Sequence, residues 1–477
     1  MANHNLSTRP FGTRDKLAYA CGDIANDFTF MLMSTWMMKF YSDVLGVSTM
    51  LIGGLMASAR ILDAFTDVGM GTLVDRTDPD KSKFGKFRIW MLRGAVPCAF
   101  VGFLVFAGAG FLTDAPMWAK IAWMFATYLL WGSIFYTSVN IPYGSMASAI
   151  TADPVQRTAL SSFRSIGAIV ANIGIGVAGP LVVYYTNADG NKVLGSGGRM
   201  MTFAAVCALL AVAFYAICIF GSVDRVYIPP VEKKTKEEKA AGEKSNTNLI
   251  ALLKDPALLL LIIGTVFMLL TQMTQNSMAG YIFPAYFKNT TAQSLSSFIG
   301  CAVMIVIAAF APTLAKRFGK RELGIVCMFG GAIVYAIMFI MHTSNVWVYV
   351  ALNMVAYLAL GAFSAICFAM IIDVIDNAEV KTHNRDDGKY YGVYSFARKL
   401  GQALSSLLAG GLLSLIGYTE ATQFETSVSN GIYNVATLVP TIGFAIAGIF
   451  MVLYPMKKSI VDANAAELEE RRQKKQQ

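Results

Sequence analysis

The sequence predicts an all-α polytopic membrane protein, with twelve transmembrane helices arranged as two six-helix bundles. Of its 477 residues, 55% are apolar and 14% are charged, and the mean hydropathy is +0.53. Such values are typical of membrane proteins. A helix needs about 20 apolar residues to cross the hydrocarbon core. The windows that satisfy this are 17–41, 48–75, 89–112, 117–148, 161–186, 200–221, 256–287, 293–316, 322–342, 346–376, 389–417 and 430–454.

Lysine and arginine are concentrated in one set of loops between these spans. The opposite set holds little beyond Lys192, Arg199 and Lys288. Because cytoplasmic loops are enriched in Lys and Arg, we expect a multi-pass protein of the cell membrane, plasma or inner, with both termini cytoplasmic. The net charge of +9 reflects this asymmetry and does not indicate nucleic-acid binding. No cleavage site follows the first span, so we expect the mature protein to keep it.

A charged stretch after the sixth span divides the chain into two halves. The tripeptide F-G-K occurs at Phe84 and again at Phe318, in loops that are equivalent if the halves are related. Related six-helix halves are common in secondary transporters. The predicted units are an N-terminal bundle at 1–221, a cytoplasmic central loop at 222–255, a C-terminal bundle at 256–456 and a cytoplasmic tail at 457–477.

Two carboxylates lie inside the second predicted span. The segment R-I-L-D-A-F-T-D places Asp63 and Asp67 four residues apart on one helix face. Like charges at this spacing repel each other, and an ionised side chain is costly at bilayer depth. The pair is therefore expected to face the protein interior and to hold a cation or protons. The alternative is that Asp63 only pairs with Arg60, three residues earlier.

Hydroxyl groups near the pair suggest how a cation would be held. Thr66 lies between the two aspartates in sequence, and Thr137 of the fourth span lies at a matching depth. Na⁺ takes several oxygen ligands, whereas crowded carboxylates also favour a proton. We predict a cation site at Asp63, Asp67, Thr66 and Thr137, with Na⁺ or H⁺ as the coupling ion and no cofactor.

A second polar group predicts a sugar-binding cavity. The fourth span contains Y-T-S-V-N-I-P-Y-G-S, in which rings for stacking alternate with hydrogen-bonding groups. Alternatively, Pro142 only kinks this helix and the tyrosines reflect membrane composition. Asp27 lies about 15 Å into the first span, whereas Asp23 is close enough to the headgroups to be a structural or capping residue. Of the basic pair in the eleventh span, we favour Lys399 over Arg398 as the cavity residue, since adjacent helix positions diverge.

Charges of both signs also cluster at the cytoplasmic ends of the spans. Some of them are predicted to form ion pairs that close a gate and break when it opens. The candidates are Asp75, Arg76, Asp373 and Arg385.

Enzymatic motifs are missing from the sequence. His4, His342 and His383 are scattered, and no H-E-x-x-H, G-x-S-x-G or Walker element occurs. The seven cysteines form no C-x-x-C pair and are expected to pack as small apolar residues. We predict that the protein is not an enzyme.

Taken together, the motifs resemble those of the glycoside-pentoside-hexuronide:cation symporters, the melibiose-permease family within the major facilitator superfamily. The resemblance covers nearly the whole chain. It rests on G-D-I-A-N-D-F, K-F-Y-S-D-V-L-G-V, A-R-I-L-D-A-F-T-D, K-F-G-K-F-R, V-N-I-P-Y-G-S and F-A-R-K-L-G-Q. It implies the major facilitator fold and cation binding by Asp63, Asp67 and Thr137. The residues that it implies for the sugar site are Asp27 with Asn26, Tyr136, Asn140, Arg164 and Lys399.

Departures from the melibiose-permease pattern bear on specificity. Thr66 replaces an asparagine of the cation motif, Asn140 replaces a second sugar-binding aspartate, and Gly144 replaces a stacking tryptophan. One acid, Asp27, then faces two basic residues, which favours an anionic glycoside. The closest resemblance is to glucuronide carriers, with xyloside and other pentoside carriers next.

The resulting prediction is a secondary transporter that imports a glycoside in symport with Na⁺ or H⁺, working as a monomer in the lipid bilayer. Two alternatives stay open. A lysolipid or other organic-solute transporter of the same superfamily would share the fold, and a channel would show no saturation or counterflow.

Overall fold

The computed structural model describes residues 6–230, 254–383 and 387–476, and these are almost entirely helical. The helices before the central stretch are α1 (Thr13–Asp43), α2 (Thr49–Asp75), α3 (Gly85–Ala107), α4 (Met117–Leu129), α5 (Thr137–Ile150), α6 (Pro154–Asn172), α7 (Gly179–Val183) and α8 (Gly198–Gly221). Those after it are α9 (Pro256–Tyr281), α10 (Thr290–Phe318), α11 (Lys320–Met341), α12 (Val346–Thr382), α13 (Asp387–Leu415), α14 (Thr426–Leu453) and α15 (Lys458–Gln476).

Within the residues that the structure describes, three of the membrane-spanning segments contain a stretch of π-helix. Leu130–Tyr136 joins α4 to α5, Ile173–Ala178 joins α6 to α7, and Ile282–Tyr286 follows α9. With α4–α5 and α6–α7 each taken as one span, every predicted window has a helix, and the all-α, twelve-span prediction is confirmed. The tail forms a further helix, α15, which packs against α12 through Asn464 and Asn377.

Eight helical segments in the described ranges are apolar and long enough to cross a bilayer on composition alone. The four predicted spans that fall short of this standard are α1, α2, α4–α5 and α13. These are the spans that carry Asp27, the Asp63–Asp67 pair, Asn140 and Lys399. Most of the predicted site residues thus lie on the less apolar spans.

Helix ends follow local capping chemistry. Asp153 accepts a hydrogen bond from the backbone nitrogen of Val155, and Pro154 occupies the first helical position. The same Asp-Pro arrangement starts α9 at Pro256. Because the first two turns of α6 are polar, the hydropathy window at 161 predicts this start seven residues too late.

Two features were not predicted from the sequence. A two-stranded antiparallel hairpin, β1 (Tyr185–Thr186) and β2 (Lys192–Val193), lies between α7 and α8. Near the start of α1, Asp15 is 1% exposed and accepts hydrogen bonds from Arg9 at 2.5 Å and from Arg225 at 2.9 Å. This network fixes the segment before α1 to the segment after α8.

Backbone contacts divide the chain into two compact units. The first comprises Met1–Lys233 with Phe283–Phe298 and Gly410–Val428, and the second comprises the remainder. In the first unit, α1 packs against α6 and α8, and α3 packs against α5 and α8. In the second unit, α12 packs against α9, α11 and α15. The six-plus-six division at 222–255 stays a prediction.

Candidate functional site

The two carboxylates of α2 face two hydroxyls of the fourth span. Ser133 Oγ donates to Asp63 Oδ1 at 2.6 Å, and Thr137 Oγ1 donates to Asp67 Oδ1 at 2.8 Å. The two acids are four residues apart on α2, and the two hydroxyl residues are also four residues apart on the fourth span, so each hydroxyl can face one acid. The structure thus brings Asp63, Asp67 and Thr137 into one polar cluster, as predicted, and adds Ser133.

The π-helical stretch Leu130–Tyr136 shapes this cluster. A Cβ placed on Gly132 would lie 3.4 Å from Asp63 Oδ1, so the backbone of this turn passes directly beside the carboxylate. The carbonyl oxygen of Gly132 is 3.1 Å from Thr137 Oγ1, which gives that hydroxyl a second acceptor. Single π turns within helices often mark functional positions. Here the turn places Ser133 and Thr137 against α2.

The pairing of Asp63 with Arg60 is also present. Arg60 Nη1 lies 3.3 Å from Asp63 Oδ2, and both residues are buried. The arginine and Ser133 therefore contact different oxygens of Asp63. The cluster thus places two carboxylates and two hydroxyls near one guanidinium, an arrangement that suits a bound cation.

Thr66 makes a side-chain hydrogen bond within its own helix, and its part in the predicted cation site stays a prediction. Its hydroxyl donates to the backbone carbonyl oxygen of Asp63 at 3.3 Å, within α2. No group of three His, Cys, Asp or Glu side chains able to hold a metal ion occurs in the ranges that the structure describes. A cation at this place would depend on two carboxylates and on the hydroxyls of Ser133 and Thr137, which rotate freely enough to present lone pairs.

The basic residue of the predicted sugar site is paired in the structure. Arg164 Nε donates to Asp23 Oδ1 at 2.8 Å, and its guanidinium lies over the ring of Tyr143 at 5.4 Å. Asp23 therefore offsets the charge of Arg164, whereas the sequence predicts Asp27 as the one acid that faces the two basic residues. The Arg164 side chain is 45% exposed, so its terminal nitrogens can still reach a ligand.

The other predicted sugar residues of this unit differ in exposure. Asp27, Tyr136 and Asn140 are half-buried. Asn26 is 2% exposed, and its side-chain oxygen accepts a hydrogen bond from Tyr215 of α8 at 2.8 Å. Asn26 thus packs against α8, and its predicted contact with a sugar is not supported by this placement.

Phe30, an aromatic residue that was not predicted as part of the site, lies between the carboxylate cluster of α2 and the predicted sugar residues of α1 and the fourth span. Phe30 lies three positions after Asp27 on α1, hence on the same helix face. The guanidinium of Arg60 is 4.8 Å from the centroid of its ring, and the Tyr136 ring is 5.8 Å away. Phe30 therefore contacts the arginine that binds Asp63 and an aromatic residue predicted to contact sugar. The spacing from Asp27 was the only signal in the sequence.

Residues predicted in the second unit have their own contacts. Arg398 lies against the ring of Phe368 at 4.9 Å, while Lys399 is half-buried. Of the predicted gate, Asp373 is paired with Lys320 at 2.7 Å and 2.8 Å through both oxygens. That lysine belongs to the second F-G-K. In the first unit, Asp75 and Arg76 are exposed at the end of α2. Arg385 lies outside the described residues.

Comparison with known proteins gives consistent matches along the chain. Residues 18–458 match the profile of a family described as MFS/sugar transport protein. The uncharacterized symporter YjmB of Bacillus subtilis (strain 168) is 30% identical, with 91% of this chain and 90% of the relative covered. The isoprimeverose transporter of Lactiplantibacillus pentosus is 28% identical, with 93% and 89% covered.

Two further matches extend this picture. The glucuronide carrier protein homolog of Escherichia coli (strain K12) is 27% identical over 100% of this chain and 98% of its own length. A crystal structure of a D-xylose-proton symporter shares the fold, with a TM-score of 0.67 at 15% identity over 92% of this chain and 96% of that one.

Proposed function

Because this chain belongs to the MFS/sugar transport protein family, we propose that it imports a glycoside in symport with Na⁺ or H⁺ by alternating access. The observation that carries the proposal is the pairing of Asp63 with Ser133 and of Asp67 with Thr137. Two acids four residues apart inside a membrane need a balancing charge. A cation that enters and leaves would supply it.

Coupling would follow from charge and packing. Cation binding at Asp63 and Asp67 would weaken the hold of Asp63 on Arg60, whose guanidinium rests on Phe30. Phe30 would then transmit this change along α1 to Asp27 and across to Tyr136. Linkage requires that glycoside binding tightens cation binding by the same factor.

Our first candidate substrate is a glucuronide or a similar acidic glycoside. Arg164 uses Nε for Asp23 and has an exposed guanidinium, so its remaining nitrogens can bind a carboxylate in the planar manner that arginine favours. The name of the Escherichia coli relative agrees with this choice.

A neutral pentoside is the second candidate. The ion pair between Asp23 and Arg164 lowers the positive charge that would attract an acid. The isoprimeverose transporter is a relative of similar identity. In either case Lys399 would contribute from the second half of the chain, with Asp27 and Asn140 binding sugar hydroxyls.

We further propose a monomer in the cell membrane with cytoplasmic termini, because one chain supplies all the groups invoked and because the basic loops fit that orientation. The gating role of Asp75, Arg76, Asp373 and Arg385 also stays a proposal. The ion pair between Lys320 and Asp373, in which the Asp373 side chain is only 9% exposed, supports this proposal.

The test is uptake into proteoliposomes of a labelled glucuronide and a labelled xyloside, under a sodium gradient and a proton gradient applied separately. One gradient should drive accumulation of one substrate. Asp67→Asn should abolish accumulation, and Asp27→Asn should abolish substrate binding. Asp114→Asn, the same change in an exposed loop, should behave as wild type. Normal accumulation by Asp67→Asn would disprove the cation site.

A further inference from the structure

A lysine is buried near the end of α1 that is predicted to be extracellular. Lys39 is 1% exposed, although it lies only four residues before the helix ends at Asp43. Its Nζ is 2.7 Å from Asp43 Oδ2, in an ion pair between adjacent turns of the same helix. A fully buried lysine is rare unless its charge is compensated. Its surroundings therefore need a structural or functional reason.

Further partners of Lys39 come from the connection between α13 and α14. Lys39 Nζ donates to Tyr418 Oη and, at 3.0 Å, to Gln423 Oε1. Tyr418 Oη in turn donates to Asp43 Oδ1 at 2.8 Å. The two segments are 379 residues apart in sequence. We call the four residues Lys39, Asp43, Tyr418 and Gln423 the outer latch.

A second contact joins the same parts of the chain. A Cβ placed on Gly410 of α13 would lie 3.0 Å from Gly53 Cα and closer still to the carbonyl oxygen of Thr49. The end of α13 therefore touches the first turn of α2 with no space for a side chain. Thr49 itself is 2% exposed. The same two parts of the chain are thus joined by the polar contacts of the outer latch and by a close backbone contact at Gly410.

We propose that the outer latch holds the extracellular entrance shut during part of the transport cycle, with Lys39 as its positioning residue. The proposal rests on the proposed function, since alternating access requires that this contact opens to admit the glycoside. The chemistry of the latch makes opening feasible. When Tyr418 and Gln423 move away, Lys39 keeps Asp43 as its counterion within α1, so neither charge is left buried and unpaired.

A purely structural ion pair is the alternative, and the two differ in what the uncharged partners do. If the pair only stabilises α1, removing Tyr418 or Gln423 leaves the entrance closed. If the latch is a gate, these removals raise the population of the open form while the protein stays folded. A hydrogen bond to a charged group has the strength needed to shift such an equilibrium by tenfold.

The test uses Thr49→Cys as a reporter in right-side-out membrane vesicles, with a membrane-impermeant maleimide added outside. Labelling of the parent chain gives the background from the native cysteines, six of which are buried. Tyr418→Phe should raise the rate of labelling at position 49 about tenfold, which corresponds to about 1.4 kcal/mol. The exposed hairpin residue Tyr185 provides the matched control, and Tyr185→Phe should leave the rate unchanged.

Two more variants test the charge and the glycine contact. Lys39→Met should raise labelling by at least as much as Tyr418→Phe, whereas Lys192→Met, at a half-buried lysine of β2 that bonds to Thr186, should not. Gly410→Val should have the same effect, because its side chain has no space in the closed contact. Unchanged labelling in Tyr418→Phe and in Gln423→Leu, with normal expression and size-exclusion profile, would overturn the proposal.

This readout separates the latch from the proposed function. Labelling that rises in the latch variants while no glycoside or cation is transported would leave the gate standing and refute the symport proposal. If the wild type transports a glycoside with a cation and none of the variants alters labelling, the symport proposal stands and the outer latch is refuted.

Discussion

Replacing Phe30 by leucine should uncouple the cation from the glycoside without abolishing the binding of either. In the structure, this ring is the contact between the Arg60 guanidinium, 4.8 Å from its centroid, and the Tyr136 ring, 5.8 Å away. Arg60 also contacts Asp63 at 3.3 Å. Leucine keeps most of the apolar volume of the side chain but removes the π face that attracts the arginine. The change therefore removes the electrostatic connection and retains the packing.

The magnitude follows from how buried the arginine is. A cation–π contact contributes about 0.5–1 kcal/mol at exposed sites and about 2 kcal/mol when desolvated. Arg60 is 7% exposed, so the upper value applies. If the contact changes between the cation-free and cation-bound forms, its loss lowers the coupling free energy by up to about 2 kcal/mol, or about thirtyfold in affinity ratio.

The assay is titration calorimetry of glycoside binding to purified protein, with and without a saturating concentration of the coupling cation. The measured quantity is the ratio of the two dissociation constants, which linkage equates with the effect of glycoside on cation binding. Phe28→Leu is the matched control. Phe28 is buried on the same helix and its ring stacks on Phe214 at 6.1 Å, away from Arg60. If Phe30→Leu leaves the ratio of the two glycoside dissociation constants at its wild-type value, the Phe30 ring does not couple the cation site to the glycoside site.

Three other variants test separate parts of the structure. Ser133→Ala should raise the concentration of the coupling cation for half-maximal uptake about tenfold or more, since a bond to a charged group contributes about 1.5–3 kcal/mol. Ser138→Ala, whose hydroxyl donates to a backbone carbonyl, should not, and equal effects would contradict the site. Arg164→Lys should raise the half-saturating concentration of a glucuronide more than that of a xyloside, because lysine lacks the planar pair of donors; equal shifts would favour the neutral substrate. Asp15→Asn should lower the free energy of unfolding by about 2 kcal/mol. This is less than the usual cost of breaking a buried ion pair, because Arg9 is partly exposed. An unchanged melting temperature in detergent would contradict a stabilising role for the bonds of Asp15 to Arg9 and Arg225.

The positions of the helices could be predicted because membrane spans are long apolar windows, and hydropathy registers them directly. Errors arise where polar residues continue a helix beyond the bilayer. The capping of α6 by Asp153 is an example, since its first turns have loop-like composition. The hairpin after α7 is too short to leave a signal in composition.

The acids of the site could be predicted because ionised side chains are rare inside an apolar span, and Arg60 and Thr137 could be predicted as their neighbours. Ser133 could not. Ser133 reaches Asp63 because of a π turn, and a change from α to π hydrogen bonding is not encoded by any pattern that we recognised in the sequence. Asp23 was assigned a capping or structural role from its depth alone, and its ion pair with Arg164 depends on how α1 packs against α6. Lys39 was visible in sequence, but its partners are 379 residues away.

Two charged pairs with the same spacing then have opposite consequences. Lys39 and Asp43 carry opposite charges, so each neutralises the other within one helix, whatever the connection between α13 and α14 does. Asp63 and Asp67 carry the same charge and lie beside Arg60 and the hydroxyls of Ser133 and Thr137. The first pair therefore tolerates the loss of its distant partners, as a reversible gate must. The second pair is stable at bilayer depth only while something positive is nearby. A conformational change that moves Arg60 away from Asp63 would thus proceed only after a cation has arrived, and this order of events is what obligatory coupling requires.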